Sequence, residues 1–177
     1  GVVIMNHQSL LDIPPLIHIL KERLPRFVVR SKYARGIPTV SAAIRFIDCI
    51  SVDPRGERAA AVLALRKAAR AGLNNAVLVF PEGHRSRDGE ILPFRPAGLV
   101  ALLQERSLPV WIIVSDGLWR LRTLADAFFA LGTVRCRMRV LEPVMSPEDP
   151  AALQVFIEER RQILIQELAK MRAEAAN

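Results

Sequence analysis

Only two cysteines, Cys49 and Cys136, occur in the 177 residues, and no Cys-x-x-Cys spacing exists for a metal or redox motif. Both thiols are expected in a buried core, as suits a reducing compartment. Lysine is nearly as scarce, with four against 21 arginines. Aromatic residues make up 6% of a chain that is 51% hydrophobic, so Leu, Val, Ile and Ala must build the core. No apolar run approaches the roughly 20 residues of a membrane-spanning helix, and no basic leader opens the chain as a signal peptide would. Also missing are a Gly-x-Ser-x-Gly elbow, a His-Glu-x-x-His pair and a Gly-x-x-x-x-Gly-Lys-Ser/Thr loop. Those absences disfavour a Ser-His-Asp hydrolase and leave a zinc-peptidase or P-loop reading without its motif. With no repeat, low-complexity tract or linker, residues 1–177 are expected to form one domain.

What is present begins with charge. The net charge is +7 and the pI about 10.4, which favours polyanions: phospholipid headgroups, coenzyme A phosphates, an acidic carrier protein or nucleic acid. A solvated, arginine-rich surface accounts for the same excess. Nucleic acid is not expected as a partner, because the charge comes with no recognition motif.

Apolar runs suited to strands lie at Val2–Met5, Phe27–Val29, Cys49–Val52, Ala76–Phe80, Val110–Val114 and Val134–Leu141. Helical patterns alternate with them at Pro14–Leu24, Thr39–Phe46, Glu57–Ala71, Ala97–Arg106, Leu121–Leu131 and Glu148–Ala173. This alternation predicts an α/β sandwich, a single domain with a largely parallel central sheet flanked by helices. Gly72 and Asn74-Asn75 read as the stop and turn after one helix. The last helix carries Leu153, Phe156, Ile157, Leu164, Leu168 and Met171 as a stripe to lay on the sheet. Trp119-Arg120-Leu121-Arg122 with Phe128 and Phe129 admits two readings, a core-facing helix with snorkelling arginines or a segment lying at a membrane interface.

Two short stretches carry chemistry. In Asn6-His7-Gln8-Ser9-Leu10-Leu11-Asp12 a histidine is followed, five positions on, by a carboxylate that can hold the imidazole in one tautomer. Five residues of regular helix turn through about 500° and would part the two side chains. His7 is therefore expected on a strand-to-helix turn, with Asp12 entering the next element and Pro14 and Pro15 in its first turn. Ser9-x-x-Asp12 also reads as a capping box without chemistry, although Ser9 as N-cap would push both prolines into the helix interior. The second stretch, Phe80-Pro81-Glu82-Gly83-His84-Arg85-Ser86, follows an apolar strand and sets a glycine turn beside a carboxylate and an arginine. That combination suits phosphate capture at the carboxyl end of a sheet strand.

Together the two stretches resemble the signature blocks N-H-x-x-x-x-D and F-P-E-G-T-R-S of the glycerolipid (lysophospholipid) acyltransferases. Ile50-Ser51-Val52-Asp53-Pro54-Arg55 is similar to that family's middle block, with an inserted proline. Arg87-Asp88-Gly89-Glu90 and Pro93-Phe94-Arg95 resemble its R-D-G-E…P-F-K continuation. Two departures stand out: His84 replaces threonine, and Leu108–Val114 lacks the second proline of the fourth block.

The resemblance implies a glycerol-3-phosphate acyltransferase-like fold and transfer of an acyl group from acyl-CoA or acyl-carrier protein, with no bound cofactor. His7 and Asp12 are the implied catalytic pair, and the acceptor hydroxyl attacks the thioester directly. Arg85 is implied as a phosphate clamp, with Glu82 on an acceptor hydroxyl or orienting the arginine, Gly83 allowing close approach, and Arg55 a second phosphate contact. His84 either tunes acceptor choice or replaces the threonine's hydrogen bond. A lysophospholipid, first 1-acylglycerol-3-phosphate, is the expected acceptor in phospholipid biosynthesis; glycerol-3-phosphate, another lysophospholipid or an amino-acid lipid are alternatives. A catalytically silent basic membrane-binding module is the alternative from another class. A bacterial protein at the cytoplasmic face of the inner membrane is expected, on an anionic surface. The start at Gly1 suggests a truncated chain that has lost a hydrophobic anchor.

Overall fold

A computed structural model describes residues 1–20, 24–30, 49–52, 58–71, 76–121, 123, 126, 129 and 132–176. Its centre is a sheet of six strands: β1 (Val2–Met5), β2 (Arg26–Arg30), β3 (Ile50–Val52), β4 (Val77–Val79), β5 (Pro109–Asp116) and β6 (Arg137–Met145). They lie in the order β3-β2-β4-β1-β5-β6, and the first five run parallel. β1 and β4 are buried along their whole length, as strands covered on both faces must be, which explains their unbroken apolar sequences.

Strand alternation divides the core in two. Val2, Ile4, Val77, Val79, Val110, Ile112 and Val114 face a large cluster that includes residues of α2 (Arg58–Ala71), α3 (Pro96–Leu103) and α4 (Pro150–Ala176). Val3, Met5, Phe27, Leu78 and Ile113 face the other way, toward Leu16 of α1 (Ile13–Ile19). Helix α3, Pro-Ala-Gly-Leu-Val-Ala-Leu-Leu, is apolar nearly all round and packs between α2 and α4. The six stripe positions of α4 are its buried residues. Both faces of a mostly parallel sheet thus carry helices, the α/β architecture expected from the alternation.

Several boundaries differ from expectation. α1 ends at Ile19 rather than Leu24, closed by the Leu20 N–H on the Leu16 carbonyl at 2.9 Å. α3 stops at Leu103. β6 begins three residues later than expected and runs on through Pro143 to Met145. It is an antiparallel edge strand whose register shifts between Val110 and Ile112, so a proline without an N–H is tolerated there. Cys49 and Cys136 are half-buried, not fully buried core residues, because each lies beside the sheet's margin rather than inside its stacked faces. The helix at Thr39–Phe46, the Gly72 and Asn74-Asn75 stop and most of Leu121–Leu131 lie outside the described residues.

Candidate active site

The site grows from strand register. β1 and β4 are parallel neighbours with Ile4 opposite Val79. His7 and Glu82 each lie three residues further on, so the offset of 75 residues set inside the sheet is kept beyond its carboxyl edge. There the His7 N–H donates to Glu82 Oε1 at 2.8 Å. The Ser86 N–H donates in turn to the His7 carbonyl at 2.8 Å. On the other side, Asn6 exchanges two 2.8 Å bonds with the main chain of Ser115 on β5. Residues at or just beyond the ends of three adjacent strands therefore hold the turn that presents His7.

Asp12 completes that turn. Its Oδ2 accepts His7 Nδ1 at 2.8 Å, the Gln8 N–H at 2.8 Å and the Ser9 N–H at 3.0 Å. Because Oδ2 faces the ring as an acceptor, the proton sits on Nδ1 and the neutral ring's Nε2 is the basic nitrogen. The same carboxylate closes the capping box, with Ser9 Oγ accepting from the Leu11 N–H at 3.3 Å. The two readings of Ser9-x-x-Asp12 are one device. Ser9 caps a single 3-10 turn, Leu10–Asp12, and α1 starts after it, so the prolines stay in the first turn of α1. Asp12 is fully buried, whereas the His7 side chain is 20% exposed. The Phe80 ring stacks on the imidazole, with centroids 4.2 Å apart at 26°.

Glu82 sits beneath the surface, unlike His7. It has no exposed surface, and its oxygens accept the His7 N–H and, at 2.9 Å, the Leu92 N–H. Burial pushes its carboxyl up to about 7, although the two N–H bonds pull the other way. Gly83 has φ 72 and donates its N–H to the Phe80 carbonyl at 3.1 Å, beside the side chain of Arg95. Arg85 is half-buried and precedes the Ser86 tie to His7; His84 is exposed. The structure thus gathers His7, Asp12, Glu82, Gly83 and Arg85 at one end of the sheet, while Arg55 lies outside the described residues. Among the described residues no group of three or more His, Cys, Asp or Glu is disposed to hold a metal ion.

Sequence reasoning assigns no site role to Phe80, Leu92 or Arg95. Phe80 lies inside the second block, but its place beside the histidine follows from the pairing of β1 with β4. Leu92 and Arg95 contribute through main chain or proximity, for which residue type gives no signal.

A family model described as acyltransferase matches residues 1–116. The chain belongs to the acyltransferase family. It is 30% identical over 161 residues to mouse 1-acyl-sn-glycerol-3-phosphate acyltransferase alpha, covering 86% of this chain and 54% of that protein. It is 28% identical over 143 residues to the human beta enzyme, covering 81% and 50%. The chain thus spans about half the length of these curated relatives. Among solved structures, the 1-acyl-sn-glycerophosphate acyltransferase of Thermotoga maritima superposes with a TM-score of 0.68 at 25% identity, covering 95% of this chain and 66% of that one. The acyltransferase match ends at Asp116, the last residue of β5, so β6 and α4 lie beyond it.

Proposed function

We propose that this chain is an O-acyltransferase domain that moves a fatty acyl group from a thioester, acyl-CoA or acyl-carrier protein, to the hydroxyl of a lysophospholipid. The acceptor we favour is 1-acylglycerol-3-phosphate, the substrate for which its relatives are named. The observation that carries the reading is the His7–Asp12 pair at 2.8 Å beside the turn that holds Arg85. In this reading Nε2 takes the proton as the acceptor oxygen attacks the thioester carbonyl, and Asp12 steadies the imidazolium that forms. The C–S bond then breaks, and the sulfur leaves as a thiol with the proton that His7 returns. Arg85 holds the acceptor phosphate. Glu82 becomes a positioning residue, since both of its oxygens are already used on main-chain N–H groups. A role for Arg55 in phosphate binding rests on the sequence resemblance alone. We assign the anionic membrane surface as the place where acceptor is met, through the chain's positive charge.

The test is a panel of lysolipid acceptors assayed with a labelled acyl thioester, on wild type and His7→Ala. Loss of general-base help is expected to lower turnover by ~10²–10⁴ with an unchanged circular-dichroism spectrum. Wild-type kinetics in His7→Ala on every acceptor would sink the assignment. Arg85→Ala is expected instead to raise KM for phosphate-bearing acceptors and to spare KM for the thioester.

A further inference from the structure

Helix α4 carries none of the motifs and lies beyond the family match, yet two of its arginines reach the loop that follows Glu82. Arg161 Nε donates to the Leu92 carbonyl at 3.1 Å, and Leu92 is the residue whose N–H binds Glu82. Further along the helix, Arg172 donates from Nη1 to Glu90 Oε1 at 2.6 Å and from Nη2 to the Gly89 carbonyl at 2.9 Å. Nη2 and Nε also reach Asp116 Oδ1, at 3.2 and 3.3 Å, at the end of β5. Gly89 is wedged in this contact. A Cβ there would meet Arg172 Nη2 and the Trp119 indole at 2.7 Å, at a φ of 86°. Trp119 belongs to the turn Leu118–Arg120, and the carbonyl of the next residue, Leu121, accepts Ser9 Oγ at 2.8 Å. Two chains of contacts therefore join α4 to the site, one through Leu92 and Glu82 to His7, the other through Gly89 and Trp119 toward Ser9.

We propose that Arg172 is a positioning residue for acceptor binding, holding the loop 85–90 so that the C-terminal helix sets acceptor affinity without touching the reacting atoms. The proposal rests on the acyl-transfer reading of the site. The loop's own ties are local: Ser86 Oγ to Asp88 at 3.0 Å, and the Gly89 and Glu90 N–H groups to Ser86 and Asp88. Those bonds shape it, and the Ser86 N–H on the His7 carbonyl, at 2.8 Å, ties its first half to the end of β1. Arg172 fastens its second half, at Gly89 and Glu90, joining loop, helix and β5 with one planar fork, which a lysine's single point of charge cannot reproduce. The Glu90 side chain is 64% exposed and Arg172 33%, so the ion pair itself adds little to stability. The effect belongs in binding geometry, where a small displacement of a clamp is costly.

The test uses the full chain with 1-acylglycerol-3-phosphate and a labelled acyl thioester, comparing wild type, Arg172→Ala, Arg172→Lys and His7→Ala, with thermal melts of each. Arg172→Ala is expected to raise acceptor KM about tenfold, leaving thioester KM and kcat within about twofold, and Arg172→Lys to fall between. Should Arg172→Ala fail to fold, Arg172→Lys alone must still show the acceptor KM rise. Wild-type KM in both variants overturns the proposal, as does a loss confined to kcat and melting temperature, which marks a purely structural role. His7→Ala separates the two levels. If it keeps turnover, the reading of the site fails; if it is inactive while the Arg172 variants match wild type, only the positioning role fails.

Discussion

Asp12 concentrates the tension between structure and chemistry in one oxygen. Oδ2 takes three donors, while Oδ1 is buried with no hydrogen-bond partner. Asp12→Asn can keep its carbonyl oxygen on the three donors only by placing an amide NH₂ in that buried, unpartnered position. The expected cost is ~1–3 kcal/mol of stability, together with a fall in kcat as the imidazolium loses its counter-charge; denaturant melts and steady-state kinetics check the two parts. Glu82 yields a prediction on pH. Its folded-state value near 7 lies above the ordinary 4.5, so the native protein holds a proton that the unfolded chain releases between those limits. The stabilising contribution is complete below pH 4.5 and is lost as pH rises through 7. Wild-type stability should therefore carry a falling component over that window, and Glu82→Gln should lack it in urea melts taken across pH. The amide introduced by Glu82→Gln would also turn an NH₂ toward one of the two N–H donors, so the variant is expected to be less active at every pH.

At the level of elements, loops after β5 are shaped by close approach as much as by backbone angle. Gly117 and Gly132 have nearly the same φ, 103° and 101°. A Cβ on Gly117 would lie 2.0 Å from the Arg135 carbonyl, while one on Gly132 would meet nothing within 4 Å. Gly132→Ala is expected to cost the ~1–3 kcal/mol of a strained conformation, and Gly117→Ala clearly more, measured by chemical denaturation. Equal losses would show that the Arg135 segment moves aside freely. Elements with a strong local pattern are legible in the sequence. The buried stripe of α4 follows from apolar residues recurring every three or four positions, and β1 and β4 from short apolar runs ending at turn signals. The bounds of β6 are not, because its exposed pattern at a sheet edge offers little alternation, and Pro143 reads as a stop until the register shift is seen.

For the whole molecule, charge and surface bear on the proposed meeting with a lipid acceptor. Among the described residues no helix is long and apolar enough to cross a membrane. Trp119 of the segment considered for an interface is packed on Gly89, with Arg120 5.3 Å from its ring, whereas Phe129 is 82% exposed. With a net charge of +7, the chain is expected to co-sediment with anionic vesicles at low salt and to be released as salt approaches about 1 M, where screening shortens to about 3 Å. Equal binding to neutral vesicles would instead point to insertion of apolar groups such as Phe129.

His7 with Asp12, and the Glu82-Gly83-Arg85 turn, could be picked out in the chain chiefly because the two stretches together resemble a family's signature blocks, each abutting an apolar strand. The α/β class followed from the same alternation. Which strands become neighbours could not be read, since pairing depends on contacts between residues far apart in sequence. Only the tertiary structure set β1 against β4 with Ile4 opposite Val79, and that register makes Glu82, expected on an acceptor hydroxyl or orienting Arg85, the buried acceptor of the His7 N–H. It also merged the capping box and the His7–Asp12 pair in one carboxylate, because a 3-10 turn before α1 lets Asp12 reach back to His7, Gln8 and Ser9 together. Arg172 had no signal in sequence at all: its three acceptors come from two distant segments, and only folding brings them within reach of one guanidinium.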